Sequence, residues 1–340
     1  MRDRSDETTL LAKAREGDEA AFEGLVERYR RELYAHGYRM LGSVQDAEDV
    51  LQESLLAAWR GLASFEGRSS LRAWLYRVCT NACLRLSSRR PRRILSMDFG
   101  PAFRDTGELG DWVSGPVWLE PLPDEQSDFA IEEADPAARY QRRESVELAF
   151  TAVLQHLPSN QRAVLILRDV LDFSAAETAG ILETTATSVN SALQRARRNV
   201  KERLPATMQQ RELGALGDEG QRRLVEAFVG AWERADLGAL LELLAEDARF
   251  SMPPLPAWFD GRDDIARFFA ERVFETPWRL QPIRANGQLG NACYILQPGD
   301  DRFRLGVINL LSLHEGKITQ ISAFLDSAVH RFFGLPLELS

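Results

Sequence analysis

The densest chemistry in this 340-residue chain lies between Arg60 and Arg93, where nine arginines stand against one acid, Glu66, a local charge of +8. Phe65, Trp74 and Tyr76 interleave there with Arg68, Arg72, Arg77 and Arg85. Opened single-stranded DNA needs such a mixture, because rings meet unstacked bases and guanidinium groups hold phosphates. Trp74 and Leu75 also suit a helical core, the reading favoured for Trp74. A second basic stretch, Val189 to Arg211, has five arginines, one lysine and one glutamate, a charge of +5. It overlaps a helix-turn-helix pattern from Phe173 to Arg198. There, small Ala179 allows close helix crossing, and Leu182, Val189 and Leu193 close a core. The second helix begins near Thr187 and leaves Ser188, Asn190, Ser191, Gln194, Arg195 and Arg198 outward. Polar residues at the N-terminal end of such a helix read bases, and arginines further along hold phosphates. A third candidate surface is acidic: Asp46, Asp49, Gln52 and Glu53 fall opposite the apolar stripe of a predicted helix.

The whole-chain charge of -9 conceals this patterning, since Ser96 to Arg139 has eleven acids and two arginines. Local charge, rather than the net, sets where a polyanion docks. The hydrophobic content of 44% with 27% charged residues is that of a globular protein. No apolar run reaches the roughly 18 residues a membrane span needs. The charged N-terminus lacks the apolar core of a signal peptide, which predicts a cytoplasmic protein without membrane contact. Cys79, Cys83 and Cys293 cannot build a disulfide framework, and Cys79 and Cys83 read as small core hydrophobes. His36, His156, His314 and His330 are scattered and complete no zinc spacing, so neither a metal nor a cofactor is expected.

These residues need elements to position them. Four helices are predicted over about residues 7–90: Glu7 to Arg15, Asp18 (as N-cap) to Met40, one from Ser43, and one after Gly67 capped by Ser69 or Ser70. Phe22, Leu25, Val26, Tyr29 and Leu33 mark the inner face of the second. Val44, Ala47, Leu51, Leu55, Ala58, Trp59 and Leu62 mark that of the third. Residues 96–135, acidic and rich in Pro and Gly, read as an interdomain linker. Trp112 and Trp118 within it fit either a hydrophobic tack onto a neighbouring domain or a segment threaded through a partner's cleft. A second helical block runs from about Pro136 to Leu204. Leu213 to Gly220 marks a further boundary. Beyond it the pattern is α+β, with a helix over Leu224 to Leu244, broken near Asp236-Leu237-Gly238, and another from Asp263 to Phe274. Strands are predicted near Ala248–Ser251, Trp278–Ala285, Ala292–Gln297, Phe303–His314 and Lys317–Phe324, with hairpin turns at Gly299-Asp300 and Glu315-Gly316.

Two of these blocks resemble the sigma-70 family of RNA polymerase subunits, of the extracytoplasmic-function (ECF) type. Asp46-Ala47-Glu48-Asp49-Val50-Leu51-Gln52-Glu53 resembles the family's polymerase-binding segment. Phe65-x-Gly67-x-Ser69, with Trp74-Leu75-Tyr76-Arg77 and Asn81, resembles its promoter-melting segment. Leu157-Pro158, Gln161-Arg162, Leu165 to Asp169, Ala175-Glu177 and Val189-x-Ser191-x-Leu193-x-Arg195-Ala196-Arg197 resemble region 4. The resemblance implies that Asp46, Asp49, Gln52 and Glu53 dock on core RNA polymerase. It implies that Phe65, Arg68, Ser69, Ser70, Arg77, Asn81 and Arg85 serve -10 recognition and melting, with the flipped base near the Phe65 to Ser70 loop and Asn81. Thr187, Ser188, Asn190, Ser191, Gln194, Arg195 and Arg198 would contact the -35 element of promoter DNA. The family's interdomain segment passes through the polymerase active-site channel, where Glu120, Asp124, Glu125 and Asp128 would mimic phosphates, with Trp118 beside them. The chain departs from the family's usual Gly at Glu183 and Thr187, and from its common Arg at Asn190 and Ala192. A generic -35 sequence therefore does not carry over from the family, although the role does, because Asn pairs with adenine where Arg prefers guanine.

The last 120 residues resemble the NTF2-like (SnoaL-like) α+β cone through Ala245 to Phe250, Trp258, Asp260 to Ile265, and Ile318 to Asp326. That fold hosts enzymes and binding modules alike. Trp258, His314 and Asp326 are candidate lining for a pocket that takes a small-molecule ligand, but no spacing demands catalysis, so a regulatory domain rather than an enzyme is expected. The predicted fold class is multidomain: two all-α sigma domains, the second with a helix-turn-helix, followed by an α+β NTF2-like cone. The predicted boundaries are 1–95, 96–135, 136–212 and 213–340. The alternative is a one-component helix-turn-helix regulator with an NTF2-like ligand-binding domain. The acidic ridge and melting-like block argue against it, because a duplex reader needs neither.

Overall fold

The computed structural model describes residues 2–115, 117–127, 143–204 and 208–340. The chain forms two compact units that do not follow the four consecutive segments expected. The described part of the first comprises residues 2–92, 125–127 and 153–204; the second comprises 93–124, 143–152 and 208–340.

The first unit is helical. Helices α1 (Arg2–Arg15), α2 (Glu19–Leu41), α3 (Val44–Gly61) and α4 (Leu71–Ser87) form its first block. Side-chain caps set three of the starts: Asp18 accepts from the Ala21 amide, Ser43 from Asp46 and Ser70 from Ala73. Leu25, Leu33, Tyr38, Val44, Ala47, Leu75 and Cys79 supply the buried interior. His36 is enclosed there, 2.9 Å from the Thr80 hydroxyl, and burial pushes its pKa down to about 3. The second block starts with α5 (Leu148–Gln155), through which the division between units runs. It continues with α6 (Ser159–Leu165), a π-helical turn over Ile166–Val170, α7 (Ala175–Ile181) and α8 (Ala186–Lys201).

Both blocks lie in this unit and pack on one another. The Arg162 guanidinium is buried and donates to the carbonyls of Met40, Gln155 and Leu157 and to the Gln155 side chain. Gln155 in turn donates to the Arg39 carbonyl. Further along, Phe173 meets the Tyr76 ring edge-on at 5.1 Å and lies 4.5 Å beneath the Arg72 guanidinium. Arg72 also bonds Glu32 and the Leu171 carbonyl.

The second unit is α+β. Helices α9 (Gln209–Glu233) and α10 (Leu237–Leu243) precede β1 (Leu244–Ser251) and β2 (Trp258–Asp260). Helix α11 (Arg262–Phe268) follows, extended by a π turn to Val273. Strands β3 (Trp278–Ala285), β4 (Gln288–Ile295), β5 (Phe303–His314) and β6 (Lys317–Phe324) come next. After α12 (Ser327–His330) the chain ends in the short β7 (Glu338–Leu339). The sheet order is β2-β1-β6-β5-β4-β3, with β7 on β5; only the β1–β6 pair is parallel. Phe228 and Trp232 of α9, with Phe250, Phe268, Phe269 and the inward residues of β4–β6, form one apolar core. The predicted boundary at Leu213 to Gly220 is instead a kink within α9, at Gly217 with φ 63°. The helix expected over Leu224 to Leu244 breaks near Asp236-Leu237-Gly238 as expected, with α9 ending at Glu233 and α10 starting at Leu237 under the Asp236 cap. Strand β4 starts at Gln288, four residues before the expected Ala292.

The linker as far as Asp124 belongs to this unit, seated on the sheet domain. Arg93 is buried and bonds Glu120 and the Trp118 carbonyl, both at 3.0 Å. The Phe103 amide donates to the Trp258 carbonyl and the Val113 amide to Pro254. At its far end, the β3–β4 turn gathers several segments. Asn286 exchanges two bonds with the Leu122 backbone and donates to the Val146 carbonyl, and the Gly287 amide donates to Asp124. Beside it, Glu147 accepts from the amides of Gln209 and Gln210 at 2.9 and 2.8 Å, capping α9.

Burial raises the Glu147 pKa to about 7 against those two amide bonds, which lower it. The folded state therefore holds a proton that the unfolded chain has lost between about pH 4.5 and pH 7, so stability falls as pH rises through that window. The wild type is expected to lose on the order of 3 kcal/mol across it relative to E147Q. Thermal melts of both proteins at pH 5, 6, 7 and 8 check this; parallel pH profiles would contradict it.

Candidate nucleic-acid interface

The acidic ridge on α3 is real but one member shorter than expected. Asp49, Gln52 and Glu53 are exposed, and Glu53 pairs with Arg85 at 2.6 Å. Asp46 is not part of that surface: it is 2% exposed and ion-paired with Arg90. As the third residue after the Ser43 cap it lies on the turn that faces inward, where its amide is held by the cap. Leu56 replaces it on the outer face. It is 57% exposed, one turn beyond Gln52 and Glu53, and its spacing could have revealed it.

The melting-like loop runs from Ser64 to Ser70 into α4. Phe65 also departs from expectation: it is buried, its ring 5.0 Å from the half-buried Trp74 and beneath the Arg15 guanidinium. A ring in an apolar corner is a pillar for the loop rather than an offered surface. Arg68 and Ser69 are exposed, with Arg68 2.8 Å from Glu66. Ser70 spends its hydroxyl on the α4 cap. Arg77 and Arg85 project from α4 into solvent and Asn81 is half-buried between them.

The helix-turn-helix consists of α7 and α8. Ser174 and Glu177 form a reciprocal capping box on α7, and these bonds hold the Glu177 carboxyl below its ordinary pKa. Thr185 caps α8 by accepting from the Ser188 amide. Val189, Leu193, Ala196 and Val200 are the buried stripe of α8, the 3.6-residue period that turns the other face outward. Thr187, Ser188, Asn190, Ser191, Gln194, Arg195 and Arg198 are all exposed on it. Arg197, also exposed, is committed to Asp169 by two bonds at 2.6 and 2.8 Å.

Between loop and helix-turn-helix, within the helical unit, lies a cavity of about 660 Å³. Phe65, Arg68, Ser69, Trp74 and Arg77 line one wall, and Ala176, Glu177, Gly180 and Ile181 of α7 the other. At its rim Arg77 pairs with Glu183 at 3.8 Å.

In the second unit the structure does not bring Trp258, His314 and Asp326 together. Trp258 donates to the Gly100 carbonyl at 2.8 Å. His314 is hydrogen-bonded to Glu212 at the β5–β6 turn, whereas Asp326 caps α12 beyond the opposite end of β6. Of the linker residues, Trp118 is buried and tilted against Phe99 with ring centroids 5.4 Å apart, Glu120 is held by Arg93, and Asp124 by Gly287. These contacts make the segment a tack onto the neighbouring domain. Glu125 is exposed, and Asp128 lies outside the described residues. No helix among the described residues is long and apolar enough to cross a membrane.

Residues 25–93 match the family model for Sigma-70 region 2, residues 147–200 that for Sigma-70, region 4, and residues 225–321 that for the SnoaL-like domain. The chain is 40% identical over 336 residues to the ECF RNA polymerase sigma factor SigG of Mycobacterium tuberculosis, covering 96% of this chain and 86% of the relative. It is 27% identical over 197 residues to the ECF RNA polymerase sigma factor SigW of Bacillus subtilis, covering 57% of this chain and 94% of that one. Among solved structures, the extracytoplasmic function sigma factor SigJ of Mycobacterium tuberculosis matches with a TM-score of 0.58 at 23% identity, over 91% of this chain and 97% of that chain. That likeness concerns the fold.

Proposed function

The chain belongs to the extracytoplasmic-function family of RNA polymerase sigma factors, and from that membership we propose how its parts serve transcription initiation. As a sigma factor it directs initiation. The one-component regulator is set aside, because regions 2 and 4 both match in the family's order.

Core RNA polymerase binds the exposed face of α3, through Asp49, Gln52 and Glu53 with Leu56 as the apolar centre. Arg68, Ser69, Arg77, Asn81 and Arg85 hold the opened -10 strand, and the outer face of α8 reads the -35 duplex through Asn190, Ser191 and Gln194, with Arg195 and Arg198 on phosphates. The observation that carries this reading is the exposure of all seven α8 residues over a buried stripe, on a chain with both sigma-70 regions. In transcription with bacterial core polymerase on a promoter library, the full chain yields specific transcripts. Replacing Asp49, Gln52 and Glu53 together with alanine lowers core affinity at least about tenfold, since an interface hot spot is worth 1–2 kcal/mol or more per anchor. Unchanged core affinity would remove α3 from the interface.

The SnoaL-like domain, in this proposal, modulates activity by holding the linker, with a small-molecule ligand as one way to change that grip. A linker bonded to Asn286 and Gly287 is not free to enter polymerase. N286G suits this test because Asn286 has φ 55°, a left-handed backbone that glycine adopts without strain. It removes the side-chain bonds to Leu122 and Val146 while keeping the turn. Loss of two buried bonds is expected to raise core affinity by about five- to thirtyfold, measured by titration of labelled core. An affinity equal to or below that of the wild type would show that the grip does not compete with polymerase.

A further inference from the structure

Glu183 occupies a position that its backbone reserves for glycine. Helix α7 ends in a Schellman motif: the Leu182 amide bonds the Thr178 carbonyl and the Thr184 amide reaches back to Ala179. Glu183 sits at the left-handed position of that motif with φ 52°, where a side chain is strained and glycine is not. Nothing in the turn itself calls for a carboxylate. What the side chain reaches is Arg77, across the mouth of the cavity that separates the melting loop from α7.

We propose that Glu183 is a positioning residue that holds Arg77 away from DNA in the free protein, so that region 4 gates the melting surface of region 2. This rests on the assignment of Arg77 to the -10 strand made above. Arg77 and Arg68 are the two cations on the loop side of the cavity, and each has an acidic partner, Glu183 and Glu66 respectively. The Glu66 partner is on the same loop and travels with it. Glu183 is in the turn that ends α7, in the other helical block, so its pairing lasts only while α7 stays against α4. The contacts that keep it there are the stacked Arg72, Phe173 and Tyr76 groups, deeper in the same packing. The ion pair is half-exposed, so it is a rim contact: it tunes occupancy and does not by itself hold the blocks closed. Single-stranded -10 DNA and the Glu183 carboxylate compete for one guanidinium.

The test uses the full chain and a fluorescent single-stranded oligonucleotide carrying the non-template -10 sequence found by promoter selection. E183G removes the charge and relieves the backbone; E183Q removes the charge and keeps the strained side chain. Both are expected to bind the oligonucleotide about two- to fivefold more tightly than the wild type, the span a surface ion pair can supply. They should also steepen the logarithmic salt dependence by up to about 0.7, one phosphate contact on a single strand. A merely structural role would move thermal stability in E183G alone and leave E183Q and the salt slope unchanged. R77A, run in parallel, separates the two claims. If R77A weakens binding and neither Glu183 variant strengthens it, the gate is wrong and the DNA assignment stands. If R77A has no effect, the assignment of Arg77 to DNA falls and the gate with it.

Discussion

Arg162 is where the helical unit closes. Its guanidinium is buried, burial pulls its pKa down to about 10, and it remains charged at neutral pH. A charge taken from water is tolerable only where its donors are used, and four of its bonds go to the Met40, Gln155 and Leu157 carbonyls and the Gln155 side chain. These acceptors are the end of α2, the end of α5 and the turn before α6, so one side chain of region 4 satisfies backbone groups of both regions. Removing it would leave several buried carbonyls unpaired, which is costlier than losing any one contact. Everything downstream depends on this closure: Phe173 under Arg72, the cavity beside the melting loop, and Glu183 within reach of Arg77.

The second unit meets the same requirement with amides. A linker of about thirty residues laid on a sheet domain carries many backbone polar groups, and each needs a partner. The turn at Asn286-Gly287 supplies several at once. Both residues have left-handed φ, which matches the twist of the β3–β4 hairpin. Having made that turn, Asn286 still has its side-chain amide to spend on Leu122 and Val146. The SnoaL-like domain thus presents, in this chain, a surface that grips its own interdomain segment.

Much of this was legible from the residues. The cap at Asp18, the helix start at Ser43 and the core positions Val189 and Leu193 of α8 follow from short-range rules, whereas the choice of Ser70 over Ser69 as the α4 cap needs the structure. Strands β3, β5 and β6 were legible to the residue because alternation and turn residues agree there. Strand β4 was placed late. The Asn286-Gly287 dipeptide is a strong hairpin signal, but the run Gln288 to Asn291 is polar and its burial depends on what packs over it. Asp46 and Phe65 were misplaced for a related reason. A helical wheel assigns a face but not the partner that covers it, and the coverings, Arg90 and Trp74 with Arg15, come from other segments. Which of the two readings of Trp118 holds was likewise beyond the sequence, because tacking and threading use the same residues. The glutamate at the glycine position of α7 was visible as a departure, yet its reach to Arg77 needs the two helical blocks side by side.

The central claim is that the linker rests on the SnoaL-like domain in the free protein and leaves it when the sigma factor engages polymerase. Hydrogen exchange followed at the amides of Phe103, Val113 and Leu122, with and without core RNA polymerase, addresses it most directly. Each of these amides is bonded within the second unit, to Trp258, Pro254 and Asn286 respectively. Slow exchange is expected at all three in the free chain, with a clear loss of that protection at Phe103, Val113 and Leu122 on binding core, while α3 gains protection. Protection that persists at all three amides, with α3 covered by polymerase, would contradict it.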